Sequence, residues 1–570
     1  MTELYIDGNL VTLPKGVDFR IKQQNPILTK NGTFTLDLTL SLTERNNAIV
    51  YKHIDRLHST PKISNRKAVL ISDGHVILNG TEAIISNTNE EVKIQLLSGN
   101  SELNYFIGSD KYVSSLDLGV ESDMSDEAFT AFRYGKYPDK TCTAPRIIIG
   151  SQNFNIESYD RTQGKYTYEN KAIQPYLLSM VEKILSALGY DLTYNQFSED
   201  TFVSKIFILN KDKTGYYNRV LQGWTIKQFL EAFEDLFNAV FVIDNVHKTA
   251  RLLNASSPGS TGTYIIENVL DDYERTNSED DDSSVSYNNV AYDFPSSVPF
   301  KYMCLDKDQL DAMVITEFET YESMLSAISD NQSSTRPDYG DKFDTSYNTN
   351  EIYYVKATDT YYIPEKLTFK RSGTELTWEL KYPKTINSFR NYVTDEDQEP
   401  YKLTFFPCAF KPVGAYVEPE TSFAESYPYL PDGNESEDET TKNAHQIIEE
   451  GTAPDFDSSK ISIALCAIDD IGTFTDNVRD VAGSNGGDII DGRGTFRLTG
   501  NSGMVQKYYI SNQNINTKTE YNIKFLMKNI PDPQARFLFN NKLFLCKELE
   551  FRVTADGIHP EITGVFYEVI

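Results

Sequence analysis

Residues 175–189, PYLLSMVEKILSALG, and residues 225–253, TIKQFLEAFEDLFNAVFVIDNVHKTARLL, carry the clearest structural signals in the chain. In the first, Leu177, Met180, Val181, Ile184, Leu185 and Leu188 recur at the spacing of one helical face, with Pro175 placed to serve as N1 and Gly189 as the left-handed stop. Tyr190, Leu192 and Tyr194 then alternate as a strand. In the second, Thr225 and Gln228 form a capping box, and Ile226, Phe229, Leu230, Phe233, Leu236 and Phe237 share a face. The run 239–244 reads as a strand, Asn245 to Lys248 as a turn, and 249–253 as the return strand. Two striped helices with strong β partners predict a compact α+β module. Nothing in it resembles a catalytic centre.

The remainder of the 570 residues points to β-structure, since 36 Tyr and 32 Phe stand against 8 Met and 2 Trp. A chain of this length has a prior of about three to five domains. The net charge is −29, and residues 1–120 hold only 12 Lys/Arg and 13 Asp/Glu, so nearly all of the excess lies beyond them. Such acidity repels phosphate backbones and excludes specific nucleic-acid binding as an expectation; like-charge solubility is the simplest role for it. Cys142, Cys304, Cys408, Cys466 and Cys546 are scattered, with no zinc spacing, and read as free, mostly buried thiols. The opening residues lack a basic and apolar leader, and no run approaches the roughly 18 apolar residues of a membrane span. A chain assembled in a cytoplasm, without export signal or membrane anchor, is expected.

Residues 1–120 predict an N-terminal β-barrel-like or sandwich domain. A hairpin turns at Asp7-Gly8-Asn9, and residues 34–42 alternate as one long strand with five apolar side chains inward. A short helix follows over 44–57 behind Thr43; further turns fall at Asp73-Gly74 and Asn79-Gly80, and 92–96 closes the sheet. Residues 121–260 form the α+β module, its first 50 residues polar and Tyr-rich around Ile147–Ile149. Residues 261–390 predict a β-rich domain with one helix over 306–329, a hairpin of 352–356 with 360–364, and a strand at 376–380. Residues 277–284 are too acidic to pack. Residues 391–460, with 16 acids against four bases, read as an acidic loop insertion. Residues 461–570 predict a C-terminal β domain with strands at 461–467, 495–498, 507–510, 521–527, 542–546, 548–553 and 565–569. Gly483 to Gly487 reads as a turn, and the lack of a repeat at fixed period disfavours a solenoid.

Candidate chemistry is sparse. Asp432 to Asp438 places oxygens like the start of a calcium loop, but Glu437 stands where glycine belongs and Asn443 where glutamate belongs. His53 and His58, beside Asp55, have a poor zinc spacing. The carboxylates at 280–282 and 395–397 lack apolar flanks that would raise a pKa for glycoside hydrolysis. No nucleophile elbow or P-loop occurs. Tyr353-Tyr354 and Tyr361-Tyr362 fit sugar stacking or an interface, and equally an ordinary sheet with one ring in and one out. The expectation is a non-enzyme without catalytic, cofactor-binding or metal residues.

Several stretches resemble a family of tail or baseplate proteins of phages and prophages of Bacteroidota hosts. These are Leu4-Tyr-Ile-Asp-Gly8 with Pro14, residues 32–40, Asn46-Asn47 with 53–57, residues 96–103, Trp224-Thr-Ile-Lys-Gln-Phe-Leu230 with Leu236-Phe237 and Asp244, residues 545–550, and Asp556-Gly557 leading to 564–567. The matches cover about a third of the chain. The resemblance implies a mainly β, tail-hub-like fold and a structural role in the virion, as a ring joining the tail tube to the tip adsorption apparatus. It implies a homo-oligomer, trimer or hexamer, since tail tubes impose rotational symmetry. An acidic channel wall would keep passing DNA from adhering, the helical module would act as a rigid spacer, and the 391–460 loops would meet neighbouring tail proteins. The alternative is a carbohydrate-binding or capsule-depolymerising tail-tip protein.

Overall fold

A computed structural model describes residues 1–58, 66–107, 111–257, 262–270, 273–277, 289–295, 305, 307–313, 315–330, 342–347, 351–371, 374–386, 389–395, 397–412, 426–431, 463–468, 474–475, 496–501, 503–510 and 515–570. The protein is mainly β with an α+β module, as expected.

Its largest element is a mixed sheet of 14 strands drawn from both ends of the chain. The path runs Asn9–Val11, Thr2–Ile6, Arg66–Ser72, His75–Asn87, Glu91–Ser98, Thr33–Thr35, Asp18–Gln24, Lys542–Thr554, Gly557–Val569, Ile515–Leu526 and Glu274–Asn277. Leu38–Ser41 also pairs with Glu91–Ser98, and Thr263–Ile265 joins through Arg536–Phe539. Among the described residues the sheet is open at both ends, so of the small barrel or sandwich expected for 1–120 no closed barrel forms. The junction is the seven-residue antiparallel ladder from Asp18↔Thr554 to Gln24↔Glu548. One core, including Ile21, Leu40, Leu70, Ile94, Leu549 and Phe566, serves both termini.

Two local corrections concern this sheet. The alternating run 34–42 is broken at Leu36–Asp37, because Leu36 N–H turns to the Arg20 carbonyl and the buried Thr35 hydroxyl accepts from Leu96 N–H. A side chain thereby replaces a ladder carbonyl, and the segment leaves Asp18–Gln24 while staying beside Glu91–Ser98 on both sides of the break. Asn79-Gly80 is not a turn but lies inside His75–Asn87, where a Cβ on Gly80 would sit 1.9 Å from the Leu97 carbonyl oxygen. Gly80 is there for close approach. Asp7-Gly8 and Asp73-Gly74 do turn, with positive φ at all four residues.

The helix expected over 44–57 is only Arg45–Val50, since Lys52 and His53 adopt positive φ and end it. Beneath it lies a buried triad. Tyr51 O–H and Arg66 both donate to the Glu82 carboxylate, and Arg66 Nη1 also reaches the Val50 carbonyl at 2.8 Å. Burial raises the Glu82 pKa, outweighing these partners.

In the α+β module the first helix is Leu177–Ala187 and the second Ile226–Phe237. Pro175 is not N1: Gln174–Pro175 forms a short ladder with Cys142–Thr143, and Tyr176 becomes the N-cap. The Thr225–Gln228 capping box is present, and Asn238 closes the second helix with φ 46°. Asp191–Asn195 lies parallel to Thr249–Asn254, which pairs antiparallel with Ala239–Asp244. Ser125 caps a helix, Asp126–Tyr134, that polar composition concealed.

Further strands reach this module from distant sequence. Ile206–Ile208 pairs with Ile463–Ile468, itself paired with Phe405–Pro407, and Ile147–Ile149 runs parallel to Ser426–Leu430. The stretch 391–460 thus supplies strands, while 413–425 and 432–460 lie outside the described residues. The helix expected over 306–329 is two helices, Lys307–Asp311 and Tyr321–Asp330, separated by the strand Ile315–Phe318. Thr320 starts the second, its hydroxyl accepting from Ser323 N–H at 3.2 Å. The strand expected at 507–510 is instead part of a π-helical turn, Val505–Tyr509. Met504, Val505, Tyr508 and Tyr509 bury at helical spacing, which the short apolar run disguised. Residues 496–498 form no strand. The Gly483–Gly487 turn and the acidic run 278–284 lie outside the described residues.

Candidate assembly surfaces and the seam between modules

A β edge must be paired, covered or capped. Ala239–Asp244 is the outer strand of the three-stranded sheet in the α+β module, and its free edge faces the N-terminal sheet. There Asn100, at the start of the helix Asn100–Ile107, donates through Nδ2 to the Phe241 carbonyl and accepts from Ile243 N–H at 3.0 Å. One side-chain amide stands in for the peptide group of a missing strand. The Phe241 N–H is taken by the Glu234 carboxylate at 3.3 Å. Glu234 is buried, and Lys30 lies 3.3 Å from it and 3.2 Å from Asp235. Burial pushes the Glu234 carboxyl up to about 7 despite Lys30 and the Phe241 N–H. Nearby, buried Glu102 accepts from Thr81 at 2.7 Å and has its pKa raised by burial. The seam between modules therefore combines buried side-chain hydrogen bonds with apolar packing of Ile27 among Val240, Val242 and Leu253.

Beside the seam opens a cleft of about 1310 Å³ between the N-terminal sheet, the 244–249 turn and the loop 527–534. Its carboxylates include Asp73, Asp244 and Asp532, and each accepts from a backbone N–H, Asp244 and Asp532 within their own turns and Asp73 across to the distant Gly557–Val569 strand. Asp73 accepts from Ile558 N–H at 2.9 Å, Asp244 from Val246 N–H at 2.8 Å, and Asp532 from Gln534 N–H at 2.9 Å. The Ile558 N–H holds Asp73 below the usual carboxylate range; for Asp244, burial is outweighed by His247 and backbone donors, with the same result. A glycosidase acid needs the opposite shift.

The other candidates are also accounted for locally. Asp395 accepts from Asp397 N–H in a turn, and Asp280–Asp282 and the calcium-like 432–438 loop lie outside the described residues. His53 is off the helix, with its Nδ1 3.9 Å from Asp55, and no group of metal-ligating side chains occurs among the described residues. Cys142, Cys408, Cys466 and Cys546 are buried cysteine thiols; Cys304 lies outside the described residues. No helix among the described residues is long and apolar enough to cross a membrane.

The tyrosine pairs divide as the pleat requires. Tyr353 and Tyr362 are buried, whereas Tyr354 and Tyr361 pair on the other face with ring centroids 4.6 Å apart. A second cross-strand pair was not foreseen. Tyr159 and Tyr166, 54% and 39% exposed, lie 5.0 Å apart on the hairpin Ile156–Asp160 with Lys165–Glu169. The alternating Tyr-x-Tyr of 166–168 after Gly164 was the available signal.

A third polar knot fixes the π-helical turn to the module. The Tyr508 carbonyl accepts from Asn238 Nδ2 and Asn254 Nδ2, both at 3.1 Å, and from Ser256 Oγ at 2.7 Å. Lys507 and Tyr508 O–H both reach Asp200, at 2.8 Å. Burial would raise the Asp200 pKa, but Lys507 and the other donors hold it down.

Neither a protein-family model nor a curated protein matches the chain. Among solved structures, a 43 kDa tail protein of prophage MuSo2 from Shewanella oneidensis aligns at TM-score 0.32 and 7% identity, covering 100% of this chain and 97% of that one. A tail protein from Neisseria meningitidis aligns at TM-score 0.28 and 8% identity, covering 100% and 96%.

Proposed function

We propose that this chain is a structural tail protein of a tailed bacteriophage, of hub or baseplate type. It forms a closed ring, trimeric or hexameric, that joins the tail tube to the tip adsorption apparatus and lets DNA pass. The reading rests on the resemblance of the chain's segments to tail and baseplate proteins, together with one structural observation. The dominant sheet ends in two edge strands, Asn9–Val11 and Glu274–Asn277, that have no further partner among the described residues. Exposed Leu10 and Ile49 lie near the first, and Leu270, Tyr273 and Leu526 near the second. Open edges with exposed apolar side chains suit lateral association. The chain acts without a catalytic residue, cofactor or metal, as a virion component assembled in the host cytoplasm, and its net acidity keeps phosphate from adhering.

Imaging of the purified full chain, alone and mixed with tail-tube protein, tests this. Rings that co-migrate with tubes are expected. Monomers that release oligosaccharide from capsule would instead establish the depolymerase alternative.

A further inference from the structure

Five cysteines are spread along the sequence, and the fold brings two of them side by side. Phe405–Pro407 runs parallel to Ile463–Ile468 in the register Phe405↔Ile463, Phe406↔Ala464 and Pro407↔Leu465. The hydrogen bonding continues past Pro407, because Cys408 N–H donates to the Leu465 carbonyl at 2.8 Å. One further step of the same register sets Cys408 beside Cys466. Residues opposite one another on neighbouring strands point to the same face, with Cα atoms about 5 Å apart. That spacing lies inside the roughly 4.4–6.8 Å that a disulfide spans. Both side chains are fully buried, whereas Cys142 and Cys546 belong to strands of other sheets.

The position of the pair adds to its proximity. Among the described residues Phe405–Pro407 is the outer strand of its sheet, three residues long, and Cys408 directly follows its last residue. A short outer strand opens locally more readily than a central one, and such opening gives an oxidant access to a thiol that the closed fold covers. Cys466 sits on the central strand, with Phe207 of Ile206–Ile208 opposite it on the other side. The chain between the two cysteines carries most of the acids of the stretch 391–460. A bond between them ties the two ends of that segment together.

We infer that Cys408 and Cys466 are a redox pair that closes to an intrachain disulfide on oxidation. With glutathione disulfide as the oxidant, the Cys408 thiolate attacks one of its sulfurs and expels a glutathione thiolate, leaving a mixed disulfide. The Cys466 thiolate then attacks the Cys408 sulfur and expels the second glutathione. Two protein thiols have given up two electrons and two protons, and one glutathione disulfide has become two glutathiones. The pairing needs nothing from the ring reading above. Only its timing rests on that reading: the thiols persist in the reducing host cytoplasm, and the bond closes after release.

The test holds the purified full chain either in a phosphine reductant or in excess glutathione disulfide, then alkylates the remaining thiols in denaturant and maps peptides by mass spectrometry without reduction. Expected in the oxidised sample is a linked peptide pair carrying Cys408 and Cys466, with alkylation lost at both together and retained at both in the reduced sample. The urea midpoint of the oxidised protein should exceed that of the reduced protein. Cys408→Ala should abolish the link and the midpoint difference, while Cys142→Ala keeps both. The peptide map of wild type decides the pairing alone, so a variant that fails to fold does not blunt the test. Cys408 and Cys466 both alkylated after oxidation, or linked to another cysteine or to a second copy, would overturn the pair and leave the ring reading untouched.

Discussion

Asn100 takes the place of a strand against Phe241. Its amide donates to the Phe241 carbonyl and accepts from Ile243 N–H two residues on, the two bonds that a paired backbone would make. The contact joins the N-terminal sheet to the α+β module at a buried point.

Replacing Asn100 by alanine leaves a buried carbonyl and a buried N–H without partners, at a cost of about 2–4 kcal/mol. Hydrogen exchange read by mass spectrometry should show the amide of Ile243 losing protection while the Lys542–Thr554 strand keeps its own. Unchanged exchange at Ile243 would show that the amide is dispensable at the seam.

Glu234 makes the seam pH-sensitive. Its folded pKa, about 7, lies above its ordinary 4.5, so the folded protein binds this proton more tightly than the unfolded chain. The resulting stabilisation is fully present below about 4.5 and is lost as pH rises through about 7. Glu234→Gln should therefore match wild type in urea midpoint near pH 4.5 and exceed it at pH 8. Glu82 and Glu102 are shifted in the same direction, so the difference between variant and wild type isolates Glu234. Parallel pH profiles would contradict the assignment.

Gly80 and Gly8 contrast two uses of the same residue. Alanine at Gly80 drives a methyl into the Leu97 carbonyl and should cost roughly 4 kcal/mol or more, seen as loss of soluble protein. Alanine at Gly8 meets open space and suffers only its φ of +75°, so about 1 kcal/mol and a soluble product are expected.

The π-helical turn is held by the three donors on the Tyr508 carbonyl. Ser256→Ala removes one, for about 1 kcal/mol, and Ser256→Ala/Asn254→Ala removes two and also frees the Phe237 carbonyl. Limited proteolysis should cut within 503–510 faster in the single variant and faster still in the double. Equal cutting rates would place the anchoring in the Asp200–Lys507 pair instead.

How much of this was written in the sequence depended on range. The two helices, the Thr225–Gln228 box, the hairpin of 352–356 with 360–364 and the Asp7 and Asp73 turns all follow from residues within a few positions of one another, and all appear in the structure. Gly80 misled because glycine serves a turn and a close strand crossing equally well, and only Leu97 distinguishes them. Pro175 misled because its partner is Cys142–Thr143, upstream of the helix. Asn100 gave no signal at all, since its meaning comes from a strand edge about 140 residues away. The candidate assembly surface was half legible: the tyrosines at 159 and 166 were visible as composition, but their lack of cover is a property of three dimensions.

The ladder between Asp18–Gln24 and Lys542–Thr554 has a consequence for synthesis. Asp18 must wait for Thr554, so while the ribosome works through the intervening 500-odd codons the nascent N-terminal sheet keeps a sticky flank bare. A chain stopped before Lys542 would not be a slightly shorter protein. It would be an unfinished sheet, and its fate would be chaperones, degradation or precipitation.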